Sequence, residues 1–363
     1  MYIKQIKLKN FRNYLEEKIE LSPDINIIYG DNAQGKTNIL ESISLCSIGK
    51  SFRTHKEKEL IKFNEKTANT EIDFIKNDRE NNIKIEITDK KNILLNNIKI
   101  KKVSDILGKI NIVLFTPEDM DILKKGPAGR RRFLDMMICG IRPAYVYALN
   151  QYLKVLEQRN CYLKQLYNGQ QKGELLDIWN ERLAVLGNNI YNYRREFINK
   201  LKEKINNIHK KVTEEKEEIK IKYLSDCEDK EKFLEELEKS KEADIKSGYT
   251  SKGIQRDDLI VYINGKQASI YGSQGQIRAT ILSLKITELD IIEEEIGEAP
   301  VLLLDDFMSE LDEKRKNKLL ENIKERQVII TCTEKIELNN VKTKTFKIEQ
   351  GSVQKEGEKC IYT

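Results

Sequence analysis

The chain has 363 residues, of which 34% are charged, and its formal net charge of +5 permits nucleic-acid binding without requiring it. No run of about 18 apolar residues occurs and the N-terminus lacks an apolar signal segment, so we expect neither a membrane span nor export. Six scattered cysteines and two histidines, without a CxxC pair, argue against a zinc site or a disulfide framework and favour a reducing cytoplasm.

The first third of the chain combines strands with one helix. Residues 2–9 show the apolar–polar alternation of a half-buried strand, and INIIY (25–29) is apolar enough for a buried strand. A glycine-containing loop and a helix from Lys36 to about Cys46 follow. Between residues 70 and 115, the runs TEIDFI, NIKIEIT, NILLNNIKI and NIVLF, with turn residues between them, predict a small antiparallel sheet.

The middle of the chain is predicted to be helical. From Arg142 to about Lys216, leucines recur at helical spacing among charged residues, and the stretch NGQQKGE interrupts the pattern. We therefore expect two long helices that fold back on each other as a hairpin. A strand over residues 218–225 and a charged helix with a solvated face over residues 228–246 complete this part.

The last third returns to strands around one helix. Residues 259–263 are predicted to be a strand that the Asn264-Gly265 turn closes. After a helix that follows residue 276, two buried strands are expected at residues 301–304 and 328–331. FKIEQGSVQ is typical of a hairpin at the edge of a sheet.

A phosphate-binding loop is the clearest motif. GDNAQGKT (30–37) matches GxxxxGK[ST] and stands between a buried strand and a helix. The glycines let backbone N–H groups point at phosphate oxygens, Lys36 neutralises phosphate charge, and the Thr37 hydroxyl binds Mg²⁺. The sequence therefore predicts ATP and Mg²⁺ as cofactors and the following ATP-binding residues: Gly30, Asp31, Asn32, Ala33, Gln34, Gly35, Lys36, Thr37 and Asn38.

An acidic pair stands at the end of a predicted strand. VLLLDDFMSELD places Asp305 and Asp306 at the carboxyl end of four aliphatic residues, where open α/β sheets bind ligands. We expect Asp305 to hold Mg²⁺ together with Thr37, and Asp306 to polarise the attacking water, so that Lys36, Asp305 and Asp306 are the predicted catalytic residues. Because Asp is shorter than the Glu of fast transport ATPases, turnover is expected to be slow.

The stretch YGSQGQIRAT (271–280) opens a helix with Ser273, Gln274, Gly275 and Gln276. A serine at this position is commonly an N-cap, whose side chain accepts a hydrogen bond from the first turn. The same turn can instead bind an anion, because a helix N-terminus presents free N–H groups and partial positive charge. The local sequence leaves both interpretations open.

Several stretches together resemble the RecF family of bacterial recombination mediators, which are ABC-type ATPases related to SMC proteins. They are KLKNFRNY, GDNAQGKTNILESI, FTPEDMDILKKGPAGRRRFLD, GSQGQIRATILSLK and PVLLLDDFMSELD, and the resemblance covers nearly the whole chain. It implies an α/β fold: an ABC-ATPase head, with a P-loop sheet, flanking helices and an antiparallel β subdomain, plus a helical insertion lobe. Residues 1–141 and 247–363 would form the head, and residues 142–246 the lobe.

The resemblance also implies a function. A protein that resembles this family is expected to form an ATP-dependent homodimer that binds double-stranded DNA near gaps or single-strand/duplex junctions. It would hydrolyse ATP weakly and help RecR and RecO load RecA. Such a protein would be cytoplasmic and nucleoid-associated.

Further residue roles follow from the resemblance alone. Ser273 to Gln276 would be the signature motif, which reaches the γ-phosphate held by the partner's Lys36, and this would explain a helix start left unpaired within its own chain. Asn10, Phe11 and Arg12 would lie near the nucleotide. Ser309, Glu310, Leu311 and Asp312 match the D-loop, which couples the two sites of the dimer.

Three positions depart from the family pattern. Where the family has Gly-Pro-His-Arg-Asp-Asp, this chain has GIQRDD (253–258), so a role of that histidine does not carry over. The KSHRT-like stretch is Lys50-Ser51-Phe52-Arg53-Thr54, without the histidine. Thr331 or Thr333 occupies the switch position where transport ATPases have His.

Basic clusters offer candidate DNA contacts, although each is also typical of a solvated surface. The predicted contacts are Lys50, Arg53, Lys56, Arg130 and Arg131. Residues 130–132 can instead pair with Glu118, Asp119 or Asp135 inside the fold. Because the sequence has no base-reading module, we expect phosphate contacts with little sequence preference and a steep salt dependence.

Two other functions account for part of the sequence. A P-loop phosphotransferase acting on a small molecule would leave the SQGQ stretch and the D-loop without a purpose. A non-catalytic DNA clamp, in which ATP only sets the shape, differs mainly in whether Asp306 has a catalytic role.

Overall fold

The computed structural model of the chain describes residues 1–170, 175–310, 313–323, 325–338 and 342–360. It divides into two compact units: unit 1 is Met1–Asp119 with Leu282–Thr363, and unit 2 is Met120–Ile281. Unit 2 extends beyond residues 142–246, because a strand at residues 258–263 pairs with the strand at residues 219–224. The predicted domain boundaries, which follow sequence texture and not contacts, stay a prediction.

Unit 1 contains two sheets and their covering helices. In chain order its elements are β1 (Tyr2–Phe11), β2 (Tyr14–Glu20), β3 (Ile25–Tyr29), α1 (Lys36–Ile48), β4 (Ala68–Lys76), β5 (Arg79–Ile87), β6 (Lys91–Leu95), β7 (Ile98–Lys99), β8 (Ile112–Phe115), and, after unit 2, β12 (Val301–Asp305), α10 (Glu313–Asn322), β13 (Val328–Cys332), β14 (Lys342–Glu349) and β15 (Ser352–Cys360).

The first sheet is antiparallel, with strand order β2-β1-β4-β5-β6-β7. Alternate residues of β4 are buried from Ala68 to Phe74, which is the pattern expected of a strand with one face on a core. The predicted antiparallel sheet is confirmed over β4 to β7, and the N-terminal strand joins it.

The second sheet has the order β15-β14-β3-β13-β12-β8, and β3, β13, β12 and β8 run parallel. Their carboxyl ends therefore share one edge, which is where such sheets bind ligands. The prediction that NIVLF belongs to the antiparallel sheet is wrong: its residues 112–115 form β8, which pairs in parallel with residues 301–304. A four-residue apolar run does not reveal the direction in which it pairs.

Unit 2 is mainly helical. Its elements are α2 (Asp121–Lys124), α3 (Pro127–Cys139), α4 (Pro143–Tyr167), α5 (Leu176–Thr213), β9 (Ile219–Leu224), α6 (Lys230–Lys239), α7 (Lys241–Ser247), β10 (Asp258–Ile263), β11 (Lys266–Gln267), α8 (Ala268–Tyr271) and α9 (Gln274–Ile296), which continues into unit 1.

The predicted pair of long helices is confirmed by α4 and α5, which pack on each other. The helix predicted over residues 228–246 is two helices, α6 and α7, which meet at Ser240. Across the described ranges, no helix is both long and apolar enough to cross a membrane.

Candidate nucleotide-binding site

The phosphate loop is a turn that needs glycine at two positions. Gly30 and Gly35 have φ angles of 151° and 117°. A Cβ at Gly30 would lie 2.4 Å from the carbonyl oxygen of Ile348, and one at Gly35 would lie 2.5 Å from Nδ2 of Asn13. Side chains disfavour such angles and the neighbours leave no room, so both glycines are required for the shape of the loop. Between them, residues 31–33 are exposed at the surface.

Lys36 is the first residue of α1 and is buried, with 4% of its surface exposed. Its Nζ donates hydrogen bonds to the carbonyl oxygens of Gly30, at 2.7 Å, and Asp31, at 3.0 Å. The ammonium group therefore lies in the hollow of the loop, where a helix N-terminus also favours anions. This arrangement fits the phosphates of a nucleotide.

Two hairpins brace the loop from outside the motif. Nδ2 of Asn13 donates to the carbonyl oxygen of Gln34 at 2.6 Å, and the Tyr14 hydroxyl donates to that of Gly35 at 3.0 Å. The N–H of Gln350 donates to Oε1 of Gln34 at 2.6 Å, and Nδ2 of Asn38 donates to Oδ1 of Asn13 at 2.8 Å. Local sequence gives no sign of these roles for residues 13, 14 or 350, although NFRNY is part of the family resemblance.

The acidic residue at the end of β12 is held beside the loop. Oδ1 of Asp305 accepts hydrogen bonds from the hydroxyls of Thr37, at 2.9 Å, and Thr331, at 2.8 Å. Burial raises the pKa of the Asp305 carboxyl, the two threonine bonds oppose the rise, and repulsion from Asp306 and Glu118 adds to it. A buried carboxylate beside a hydroxyl, under this repulsion, is a chemically suitable pair of oxygen ligands for Mg²⁺. The structure thus brings together the two residues predicted to bind the metal.

Asp306 has a strained backbone. Its φ angle is 47°, which is uncommon for a residue other than glycine, and its N–H donates to Oγ1 of Thr331 at 3.0 Å. Strained residues of this kind cluster at active sites. Thr331 therefore contacts both acidic residues, whereas the alternative switch candidate, Thr333, is exposed.

Among the described residues, no cluster of three or more His, Cys, Asp or Glu side chains could hold a metal ion. A Mg²⁺ site built from one carboxylate, one hydroxyl and substrate phosphates needs no such cluster.

The residues that the resemblance placed near the nucleotide have other partners in unit 1. Phe11 is fully buried in the core, and Nδ2 of Asn10 donates to Glu65 at 3.1 Å. Arg12 donates to both carboxylate oxygens of Glu41, at 2.8 and 2.7 Å, and to the carbonyl oxygen of Glu59 at 2.7 Å. Their predicted proximity to the nucleotide stays a prediction.

The buried carboxylate of Glu41, on α1, also holds the stretch Lys50–Thr54. It accepts a hydrogen bond from the Ser51 hydroxyl at 2.5 Å and lies 3.5 Å from the guanidinium of Arg53. Arg53 in turn donates to Oδ1 of Asn38 at 2.7 Å. Lys50 is exposed, and the Lys56 side chain is 82% exposed with Glu59 at 3.7 Å. Their assignment as DNA contacts remains a prediction.

Arg130 does not have the surface position that a DNA contact requires. Its guanidinium donates to Asp258, at 2.7 and 3.1 Å, and to the carbonyl oxygens of Ile122 and Leu123, and only 6% of the residue is exposed. The prediction of a DNA contact at Arg130 is therefore wrong, because its donors serve an internal ion pair. The partner is none of the three acids proposed from the sequence. Arg131 donates to the carbonyl oxygen of Asp257 at 2.8 Å and stays a candidate.

The start of α9 is paired within its own chain, against expectation. The N–H of Gln276 donates to Oγ of Ser273 at 3.2 Å, and the N–H of Ser273 donates to Oε1 of Gln276 at 2.9 Å. This reciprocal arrangement is a capping box, so the N-cap interpretation is correct for the isolated chain. Ser273 and Gln274 remain exposed, and a hydroxyl that accepts one bond keeps its own proton to donate.

Two other motifs have partly defined positions. In the D-loop, Ser309 and Glu310 end the short 3-10 helix Phe307–Glu310, and Leu311 and Asp312 lie outside the described residues. In GIQRDD, Gln255 accepts a hydrogen bond from the Tyr152 hydroxyl at 2.7 Å, and buried Asp257 accepts one from Arg194 at 2.6 Å. Gln255, at the position where the family has histidine, therefore makes an internal hydrogen bond in unit 2.

The parallel sheet, the phosphate loop and the acidic residue after β12 define a P-loop ATPase head of the kind found in SMC proteins. A model of the RecF/RecN/SMC N-terminal domain matches residues 2–172. The solved SMC head of Pyrococcus furiosus, bound to the C-terminal domain of ScpA, has the same fold: the TM-score is 0.60 at 19% identity, covering 99% of this chain and 96% of that one.

Two closer similarities identify the family. The DNA replication and repair protein RecF of Clostridium tetani is 44% identical, over 97% of this chain and 99% of that protein. A solved structure of the recombination mediator RecF with ATP, in the RecFOR pathway, has a TM-score of 0.92 and 39% identity, covering 98% of both chains. The chain belongs to the RecF family, and the predicted ABC-type ATPase fold is confirmed.

Proposed function

We propose that this protein binds DNA in an ATP-dependent manner during recombinational repair, and that its ATP-bound form is a homodimer clamping double-stranded DNA near gaps or junctions. The observation that carries the proposal is the preformed phosphate site, in which Lys36 fills the loop and Thr37 is bonded to Asp305. The similarity of the whole chain to the solved structure of RecF with ATP supports ATP as the ligand.

The residues of the site have separate roles in this proposal. Lys36 neutralises the β- and γ-phosphates, and Thr37 and Asp305 hold Mg²⁺, which would offset the negative charge of the phosphates. Asp306 orients the attacking water, and Thr331 fixes both acidic residues. With an aspartate in this role, hydrolysis is slow and serves to reset the protein.

The second half of each site comes from the other copy. In the closed dimer, the Ser273 hydroxyl donates a hydrogen bond to the γ-phosphate held by the partner's Lys36. A hydrogen bond to a charged oxygen contributes about 1.5–3 kcal/mol, and a helix N-terminus adds about 0.3–1 kcal/mol. Two symmetric sites thus supply about 4–8 kcal/mol against an association cost of about 4–15 kcal/mol. Since these terms are comparable, loss of the γ-phosphate is enough to reopen the dimer.

DNA binding then rests on phosphate contacts from exposed basic residues such as Lys50 and Lys56, with Arg53 and Arg131 as further candidates. The RecFOR pathway named for the solved relative makes RecR and RecO the expected partners, with RecA loading downstream. The protein would act at the nucleoid in the cytoplasm.

Fluorescence anisotropy with a labelled duplex tests the proposal. Wild-type protein is expected to bind tightly with a non-hydrolysable ATP analogue and weakly with ADP, and to lose affinity steeply as salt rises. Equal affinity with both nucleotides would contradict an ATP-dependent clamp. Affinity that held from low to high salt would contradict binding through phosphates.

A further inference from the structure

We propose that Glu217 positions the turn at the start of α9, residues 273–276, which we call the signature turn. The contact presents the Ser273 hydroxyl to a nucleotide. Glu217 lies between α5 and β9, in a segment to which the family resemblance gave no role. Oε1 of Glu217 accepts a hydrogen bond from Nε2 of Gln276 at 2.9 Å. The inference rests on the proposed function for what Ser273 contacts, but not for how the turn is held.

The carboxylate decides which way the Gln276 amide points. An ionised carboxylate only accepts hydrogen bonds, so it must face the NH₂ group of the amide. The amide oxygen then faces the N–H of Ser273, at 2.9 Å, and the Gln276 N–H reaches Oγ of Ser273 at 3.2 Å. A flipped amide would put two donors together at Ser273 and break the capping box.

Glu217 is itself fixed in place. Its other carboxylate oxygen lies 3.3 Å from Nε2 of His209, a fully buried residue near the end of α5. On the adjacent residues, the N–H of Glu218 donates to the Asn264 side chain at 2.8 Å, and the N–H of Ile219 donates to the Asn206 side chain at 3.1 Å. A carboxylate with both oxygens engaged, on an anchored segment, can hold a neighbour in one orientation.

The chain provides a matched control. Glu218 carries the same charge one residue further on, is exposed, and pairs only at the surface with Lys220 at 3.2 Å. Glu217→Ala and Glu218→Ala therefore remove the same charge from nearly the same place, and only the first removes the contacts with Gln276 and His209.

The first measurement is hydrogen–deuterium exchange of the nucleotide-free protein. The peptide containing residues 272–277 is expected to exchange about tenfold faster in Glu217→Ala, and at the wild-type rate in Glu218→Ala. Wild-type exchange of this peptide in Glu217→Ala would overturn the inference. This readout needs no dimer, so it decides the role of Glu217 even if ATP-dependent dimerisation is not found.

The second measurement concerns function. Glu217→Ala also removes the contact with buried His209, so it is expected to melt slightly below the wild-type temperature. It should bind ATP as a monomer with unchanged affinity, while its ATP-dependent dimerisation is weakened about tenfold. Glu217→Gln, whose amide can still accept from Gln276, is expected to restore part of this loss. A double variant with Gln276→Ala should be no worse than Glu217→Ala alone. Additive losses would show that the two residues act independently and would refute the positioning role.

Discussion

The phosphate loop and the signature turn are held in different ways. The loop is braced by two hairpins, and its charged residue, Lys36, is buried and donates hydrogen bonds to two carbonyl oxygens of the loop. The signature turn exposes Ser273 and Gln274 and is held by a short chain of hydrogen bonds that runs from Glu217 through Gln276 to Ser273. The comparison indicates that the chain organises its own nucleotide site in advance, whereas the turn presents a hydroxyl outward.

The largest loss of ATP affinity is expected from Gly35→Ala, which disturbs the preformed phosphate loop. The added Cβ meets Asn13 at 2.5 Å and the φ angle of 117° is strained for alanine, so ATP binding should fall at least about a hundredfold. Calorimetric titration with ATP measures this loss. Gly297→Ala is the matched control, because Gly297 also has a positive φ angle, of 79°, but nothing within 4 Å of the added atom.

Gly297→Ala should be destabilised only by about 1–2 kcal/mol and bind ATP normally. Equal losses of ATP affinity in both variants would mean that replacing a positive-φ glycine weakens nucleotide binding through general destabilisation, and not through the shape of the phosphate loop.

A smaller effect is expected from Thr331→Val, which removes the hydroxyl that contacts both acidic residues. The carboxylate of Asp305 loses one donor and the Asp306 N–H loses its acceptor, at a cost of about 1–3 kcal/mol each. We expect phosphate release to slow at least about tenfold while ATP affinity changes little. Thr333→Val, at an exposed position two residues later, should hydrolyse ATP like the wild type, and a normal rate in Thr331→Val would remove Thr331 from the mechanism.

The smallest change in ATP affinity is expected from a substitution in the hairpin of β1 and β2, which braces the phosphate loop. Asn13→Ala removes two hydrogen bonds, one to the Gln34 carbonyl and one from Nδ2 of Asn38. We expect a net loss of about 1 kcal/mol in ATP binding, which weakens it about fivefold. Asn10→Ala, three residues earlier in the chain, removes a surface contact with Glu65 and places alanine at a φ angle of 50°, and it should change ATP affinity less than twofold. A larger loss in Asn10→Ala than in Asn13→Ala would favour the resemblance-based assignment of Asn10.

The nucleotide site could be predicted where its residues are close in sequence. The loop, Thr37 and Asp305 follow local patterns, and the edge of a parallel sheet brings them together. Asn13, Gln350 and Thr331 were missed or left open because their contacts join residues far apart in the chain. Sequence spacing carries no direct sign of such contacts.

Charge and apolar runs were the least informative patterns. Arg130 appears in a basic cluster, but it is buried, and its ion-pair partner, Asp258, is 128 residues away in the chain. The run at β8 alternates like an antiparallel strand, and only its pairing with β12 reveals a parallel one. The N-cap at Ser273, one of the two alternatives, is confirmed by the structure, whereas anion binding at the same turn stays a prediction.

The most direct test of the account is light scattering of Lys36→Arg and Ser273→Arg with a non-hydrolysable ATP analogue. Lys36→Arg is expected to bind the analogue and dimerise, although it hydrolyses ATP poorly. Ser273→Arg, whose long side chain replaces the outward hydroxyl, should bind the analogue and stay monomeric. A Ser273→Arg dimer that forms with wild-type affinity would contradict the claim that this turn completes the nucleotide site of a second copy.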